Sequence, residues 1–433
     1  MTSQKVNQQP GAECGVRAPG TVMAVIVALV AWIGLLPLKA AAQATAPTYT
    51  VLYNFTGGTD GAIPDTDLTS DAAGNLYGTT YTGGSFNGGC YESLGCGVVF
   101  KLDPAGNETV LHAFGGGSDG NKPYSGVVQN AAGNLYGTTR YGGTFAGEMC
   151  RIYGGCGVVF KIDPAGKETV LHSFTGGSDG AFPYTGLLLL DAAGNLYGTT
   201  TNGGKCATSF GCGVVFKLDP AGNETVLHTF TGNDGVGPFG GLTRDAAGNL
   251  YGTAGGGSGS YGVIFKLDPN GEETVLYAFT GGLDGAYPQA GVVSDAAGNL
   301  YGTTEQGGDT SCSVAGSNGC GVVFELDPNG KETVLYAFTG ELDGAYPLAG
   351  LIRDPSGSLY GTANLGGSIC SECYGTLFAI SPAGKEVLIH SFMGGTDGGN
   401  PKAGLLADSG YLYGTATSGG AYDQGVIFKI SLR

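Results

Sequence analysis

The tetrapeptide Leu-Tyr-Gly-Thr occurs seven times, with its tyrosine at Tyr77, Tyr136, Tyr197, Tyr251, Tyr301, Tyr360 and Tyr413, a period of 50 to 61 residues. A motif recurring at that spacing marks a repeat architecture, in which each unit buries its apolar face only against its neighbours. This overrides the two or three domains that a length of 433 residues would otherwise imply. Each unit carries four short β-like runs in fixed order, bounded by turn residues. In the second unit they are Gly126-Val-Val-Gln-Asn130, Asn134-Leu-Tyr-Gly-Thr-Thr139, Gly157-Val-Val-Phe-Lys-Ile162 and Glu168-Thr-Val-Leu-His-Ser-Phe174, here strands a, b, c and d. The a–b turn is Asp-Ala-Ala-Gly-Asn in most copies, and the c–d turn is Asp-Pro-Ala-Gly or Asp-Pro-Asn-Gly. Proline presets the first turn dihedral and glycine takes the left-handed position, so both are hairpin connections. Four antiparallel strands per unit describe a propeller blade.

The ends of the array match. The last unit has strands a, b and c but stops at Arg433 without a d, while Tyr49-Thr-Val-Leu-Tyr-Asn-Phe55 is an orphan d strand at the start. Joining them closes a ring and removes two exposed sheet edges. The expected fold is therefore all-β: a seven-bladed β-propeller, four antiparallel strands per blade, closed by the N-terminal strand. Its blades fall near 61–114, 120–174, 180–230, 235–279, 285–338, 344–392 and 398–431, the last completed by 49–55. Composition agrees, with 85 glycines and few runs that favour helix.

The units Leu-Tyr-Gly-Thr-Thr, Gly-Val-Val-Phe-Lys-Leu-Asp-Pro-x-Gly and Glu-Thr-Val-Leu-x-x-Phe resemble the GloVer tandem repeats of exported bacterial proteins. The resemblance covers residues 49 to 430 and implies export and a propeller-like array, without implying a biochemical activity. A C-terminal anchor found in some members has no counterpart here, so a soluble form is expected. The a–b hairpin is more loosely similar to NHL-type and streptogramin-lyase propellers.

Export is also expected from the N-terminus. Lys5 and Arg17 precede the apolar run Val22 to Leu36, and small residues follow at Ala40 to Ala44, the pattern of a signal peptide over 1–44. Fifteen apolar residues would span only ~22 Å as a helix, short of the ~30 Å hydrocarbon core. No other stretch is long enough to cross a membrane. The mature domain is then 45–433. Cys14 lies in the leader, and the other ten cysteines fall as close pairs: Cys90 with Cys96, Cys150 with Cys156, Cys206 with Cys212, Cys312 with Cys320, and Cys370 with Cys373. Local pairs on an exported chain read as disulfides rather than zinc sites, since the four histidines lie away from these loops.

Strands alternate in direction, so the short a–b and c–d turns share one face and the b–c and d–a loops share the other. The second face carries every cysteine pair and is where binding is expected. Positions common to all units are scaffold. The Asp-Gly of each d–a loop (Asp60, Asp119, Asp179, Asp234, Asp284, Asp343, Asp397) offers one carboxylate where calcium wants six to eight oxygens, so it reads as an Asx-type turn. His112, His172, His228 and His390 share one strand-d position with Tyr53, Tyr277 and Tyr336, which reads as packing rather than catalysis.

Positions that differ between units are the candidates. After the proline leading into strand a stand Asp65, Tyr124, Tyr184, Phe239, Gln289, Leu348 and Lys402, expected to ring the channel mouth if strand a is innermost. Two places later six units have glycine and the first has Asp67. Asp65 and Asp67 share a strand face, ~6.6 Å apart, as an acid–base pair or cation ligands would, or as a solvated strand entry would. A second ring after strand b contains Tyr81, Arg140 and Glu305, where aromatic side chains serve sugar stacking or loop packing.

The chain's net charge is −17, and without the leader's Lys5, Arg17, Lys39 and Glu13 it becomes −19 (16 basic against 35 acidic), spread round the ring, which argues against nucleic acid and anionic membrane as partners. No cofactor motif, metal-ligand spacing or nucleophile-elbow sequence is present. The favoured reading is a non-enzymatic, monomeric binding propeller for a polysaccharide or a cell-surface protein. The alternatives are a polysaccharide- or streptogramin-type lyase or hydrolase at the mouth, and a structural envelope protein.

Overall fold

The computed structural model describes residues 47–432 apart from 87–89, 91–93, 145–146, 185, 207–209, 258–260, 313–317 and 368–373. The chain divides into residues 1–44 and 45–433. The expected signal segment lies outside the described residues, and so do Cys370 and Cys373, which the sequence pairs as a fifth disulfide. Within 45–433 the described residues form 28 strands in seven four-stranded antiparallel sheets. Blade 1 has strands Thr69–Ser70, Leu76–Thr80, Val98–Leu102 and Glu108–Ala113, and the next five blades repeat this order. In blade 7 the outer strand is Tyr49–Asn54, paired antiparallel with Val426–Ser431 in the register Tyr49↔Ile430. The ring is closed by the N-terminal strand, as the orphan sequence required.

Each letter of Leu-Tyr-Gly-Thr has a job. Leu76 is buried in the core. The Tyr77 hydroxyl donates to Asp71 of the a–b turn at 2.9 Å, fixing the hairpin from its far end. Gly78 pairs with Phe100 across the b–c ladder, and a Cβ there would stand 2.7 Å from the Phe100 ring. The Thr79 hydroxyl donates to the carbonyl of Ser125 in the next blade at 2.9 Å. Thr253, Thr303 and Thr415 make the same link to Ala290, Ala349 and Thr66.

Blades are joined by a repeated aromatic contact. The phenylalanine ending strand d meets the strand-c phenylalanine of the following blade edge to face: Phe55 with Phe100 at 5.3 Å, Phe230 with Phe265 at 5.2 Å, Phe392 with Phe428 at 5.4 Å. All are fully buried. Such pairs add about 0.5–1.5 kcal/mol each beyond the area they bury. Seven of them distribute the core round the ring as seams, which is why each hydrophobic cluster draws on two blades.

Strand a is shorter than the sequence implied. Expected over 126–130 in blade 2, it spans only Val128–Gln129. The preceding segment instead lines the channel and is held by the threonine links, so it needs no ladder partner. A helix at Gly147–Ile152, in the long b–c loop of blade 2, was also not expected.

Candidate functional site

The segments from the d–a prolines into strand a converge on the axis from all seven blades, so strand a is innermost. They line a channel cavity of about 270 Å³. Convergence leaves little room between several of them. A Cβ on Gly186 would lie 2.2 Å from the Gly241 nitrogen, and one on Gly126 2.1 Å from the Asp67 carbonyl. Crowding therefore dictates glycine at Gly126, Gly186 and Gly291, whereas a Cβ on Gly350 would meet nothing within 4 Å; Asp67 supplies the one side chain of this level. Its carboxylate accepts the backbone N–H of Gly404. Burial raises its pKa, and that hydrogen bond opposes the shift.

Two residues outward from the throat is the mouth, a pocket of about 210 Å³ lined by Asp65, Tyr124, Tyr184, Gln289, Glu305, Leu348 and Lys402. Six blades thus contribute unlike side chains to one concavity. Asp65 is 7 % exposed, so a solvated strand entry does not describe it. Burial pushes its carboxyl up to about 6, with Asp67 adding to the shift and Lys402 opposing it. On the blade-5 side, the Gln289 amide donates to Glu305 at 2.8 Å.

The other wall is aromatic. Tyr124 stacks on Tyr184 with centroids 4.5 Å apart. Tyr81 meets Tyr124 edge-on at 4.9 Å, and Phe239 meets Tyr184 at 5.4 Å. The Arg140 guanidinium lies 4.6 Å from the Tyr184 ring centre and 5.5 Å from that of Tyr124. The rings therefore spend their faces on each other and on Arg140, and present edges and hydroxyls to the pocket. Burial holds the Tyr124 phenol above its ordinary range, with Asp65 adding to it.

Two sets of neighbours carried no sequence signal. Lys122, fully buried, places its ammonium 4.6 Å from the Tyr81 ring centre. It belongs to a ring of residues preceding the d–a prolines, all left-handed: Ile63, Lys122, Phe182, Gly237, Tyr287, Tyr346 and Asn400, with φ between 54° and 58°. Non-glycine residues take that conformation only when the surroundings impose it. Here the N–H of each donates to the previous blade, as Phe182 to Cys156 at 2.9 Å and Tyr287 to Tyr261 at 2.7 Å. Two residues later comes the mouth side chain, so this link sets its place.

Four disulfides form as paired in the sequence: Cys90–Cys96, Cys150–Cys156, Cys206–Cys212 and Cys312–Cys320. The fifth expected pair is not among them, because Cys370 and Cys373 both fall in 368–373, outside the described residues. The second cysteine of each of the four pairs is buried, and its carbonyl receives the left-handed residue of the next blade. The staples thus sit beside the mouth. Four disulfides fit an oxidising compartment.

The Asp-Gly aspartates are not forward Asx turns. Asp60 reaches back to the N–H of Thr56 at 2.8 Å and accepts from the Tyr53 hydroxyl at 3.1 Å. The forward turn belongs to the a–b and c–d aspartates, where Asp71 accepts from Ala73 at 2.9 Å.

The model of the Gloeobacter/Verrucomicrobia repeat matches residues 40–153, 91–315 and 311–433. The chain belongs to that repeat family. No curated protein matches it in sequence. Among solved structures, this Gloeobacter/Verrucomicrobia repeat protein is similar to an extracellular domain from B. thetaiotaomicron assigned to the one component system BT4673. The identity is 12% and the TM-score 0.50, over 83% of this chain and 37% of that one. The chain thus spans little more than a third of that structure, and the likeness is one of fold. A gluconolactonase from Xanthomonas campestris, XC5397, matches at 15% identity and a TM-score of 0.40, over 73% of this chain and 86% of that one. Among the described residues no helix is long and apolar enough to cross a membrane.

Proposed function

We propose that this is an exported binding propeller whose channel mouth holds a polar, saccharide-like group, carried on a polysaccharide or a surface glycoprotein. One observation carries the reading. Equivalent positions in a chain that otherwise repeats itself hold unlike side chains, and these face one pocket. A sequence that keeps its scaffold residues in its copies while varying the residues that face this pocket has specialised that ring.

The pocket offers two carboxyls, an ammonium, an amide and two phenols around about 210 Å³, a donor and acceptor set suited to hydroxyl-rich ligands. Because the tyrosine faces are taken, recognition runs through hydrogen bonds rather than ring stacking. Export is supported by the apolar N-terminal segment and the disulfides, and the B. thetaiotaomicron relative in fold is itself described as extracellular.

Glycan-array binding of the wild type should fall at least tenfold in Gln289→Ala/Lys402→Ala and in Tyr124→Ala/Tyr184→Ala. Undiminished binding in both variants removes the mouth as the site. Polymer cleavage that disappears in Asp65→Asn would instead make the buried carboxyl a proton donor and the protein an enzyme.

A further inference from the structure

At the outer rim, each seam brings together the strand-d His or Tyr of one blade, the Asp of the following loop and, at six seams, the Glu opening the next strand d. Blades 3 and 4 depart from this pattern. In the other six copies the strand-d aromatic and the Asp are seven residues apart; His228 and Asp234 are six apart, because this loop, Thr-Gly-Asn-Asp, is one residue short. The shortening turns the carboxylate. Asp234 Oδ1 takes all three loop donors, Thr231 N–H at 2.8 Å, Thr231 hydroxyl at 2.9 Å and Gly232 N–H at 3.2 Å. Oδ2 is left facing His228 Nε2 at 3.0 Å. In the neighbouring seams the oxygen facing the histidine is already held by a backbone N–H, at 2.7 Å from Gly115 for Asp119 and 2.7 Å from Thr175 for Asp179. Their histidines stand off at 3.5 and 3.7 Å.

Glu273 completes the group. Its Oε1 is closed off from solvent and has no hydrogen-bond partner among the described residues. The ligand atoms of His228, Asp234 and Glu273 lie within 4.8 Å of one another, the one such trio among the described residues. A tetrahedral zinc held at about 2.0–2.2 Å by each ligand spaces its donors by about 3.3–3.6 Å. The widest pair of the trio therefore needs to draw in by up to roughly 1.4 Å, a movement that the side chains must supply on binding.

We propose that His228, Asp234 and Glu273 form a divalent transition-metal site, zinc by its donor set, that clamps the seam between blades 3 and 4. One imidazole and two carboxylates suit zinc with a water in the fourth position. Binding takes the imidazole in its neutral form and gives the buried Glu273 oxygen a partner, so it weakens in acid. The seam between blades 6 and 7 supplies a contrast: Tyr49 stacks on His390 at 4.0 Å, and the closing strand brings no glutamate.

The test is titration of the full chain, stripped with chelator, with Co²⁺ and Zn²⁺. Three blades already hold Tyr at the His228 position, so His228→Tyr preserves a hydroxyl for Asp234 and removes the nitrogen; Glu273→Gln removes the second carboxylate. The wild type should bind one more equivalent of Co²⁺ than either variant, with a visible absorption band that Zn²⁺ abolishes. Zn²⁺ should raise its Tm by several degrees and leave the variants' Tm unchanged. Equal stoichiometry in wild type and variants, or no binding at micromolar Co²⁺ by a wild type whose circular dichroism is native, overturns the proposal.

Discussion

Glu332 shows what the repeated acids do. It opens strand d of blade 5 and faces Asp284 and Tyr277 of the preceding blade. Its Oε1 is buried without a partner, and burial, then Asp284, pushes its carboxyl up to about 7. Glu108, Glu224 and Glu273 are raised alike. A folded pKa above the unfolded value means that the native state keeps a proton the unfolded chain has lost. Stability from these groups is then full below about pH 4.5 and declines as pH rises through about 7. The turn aspartates act oppositely: hydrogen bonds hold Asp71 and Asp191 below the usual range despite opposing burial, so their contribution is lost in stronger acid. Thermal unfolding in chelator should accordingly give a higher Tm at pH 5 than at pH 8. Glu332→Gln, with a neutral amide that can donate to Asp284, should raise Tm at pH 8 and leave it unchanged at pH 5. Equal effects at the two pH values would mean that no proton is held there. The sequence displayed these glutamates as the first residue of a strand, a position that reads as solvated. Their burial comes from the neighbouring blade, which no single unit reveals.

At the level of elements, strands b, c and d follow from alternation and turn chemistry, and their observed limits differ from the sequence-based ones by a residue at an end. Strand a was overestimated because its apolar run is not half of a ladder; Val127 and Leu68 go into the core while the residues before them line the channel. The left-handed residues before the prolines were not legible either. Ile63, Phe182 and Tyr287 are poor choices for that conformation on local grounds, and only the hydrogen bond to the previous blade selects it. That bond gives the disulfides a purpose beyond shortening a loop. Cys150 and Cys156 are six residues apart, and a loop so short yields about 2 kcal/mol from chain entropy. Cys150→Ala/Cys156→Ala should lose about that much in denaturant unfolding. It should also speed hydrogen exchange at the Phe182 amide, which donates to the Cys156 carbonyl, more than at the strand-c amides of the same blade. Uniform acceleration through the blade would show that the staple acts on global stability alone.

For the whole molecule, the decisive sequence observation was a strand missing at one end and supplied at the other, and it makes a strong statement about where the ring tolerates a cut. The native break falls between strands c and d of blade 7, so one blade is assembled from both chain ends. Thr48 and Ser431 are neighbours, joined by a Ser431 N–H to Thr48 carbonyl bond of 3.1 Å, so a linker of a few residues can seal that break. A new opening in the c–d turn of blade 2, between the exposed Ala165 and the half-buried Gly166, recreates the native arrangement in another blade. There the outer strand Glu168–Ser173 would be brought by the new N-terminus and held by its ladder and by the edge-to-face contact of Phe174 with Phe216 of the next blade at 5.3 Å. An opening between strand d and strand a, at Gly176 to Gly177, leaves every blade continuous and closes the ring by seam contacts only. It also cuts the loop whose Asp179 is tied to Thr175. The c–d permutant should melt within a few degrees of the parent. The d–a permutant should melt well below both and populate dimers, since no strand spans its break. Equal stability of the two permutants would mean that the phenylalanine seams alone hold the ring, and that the closing strand is an accident of where the chain begins.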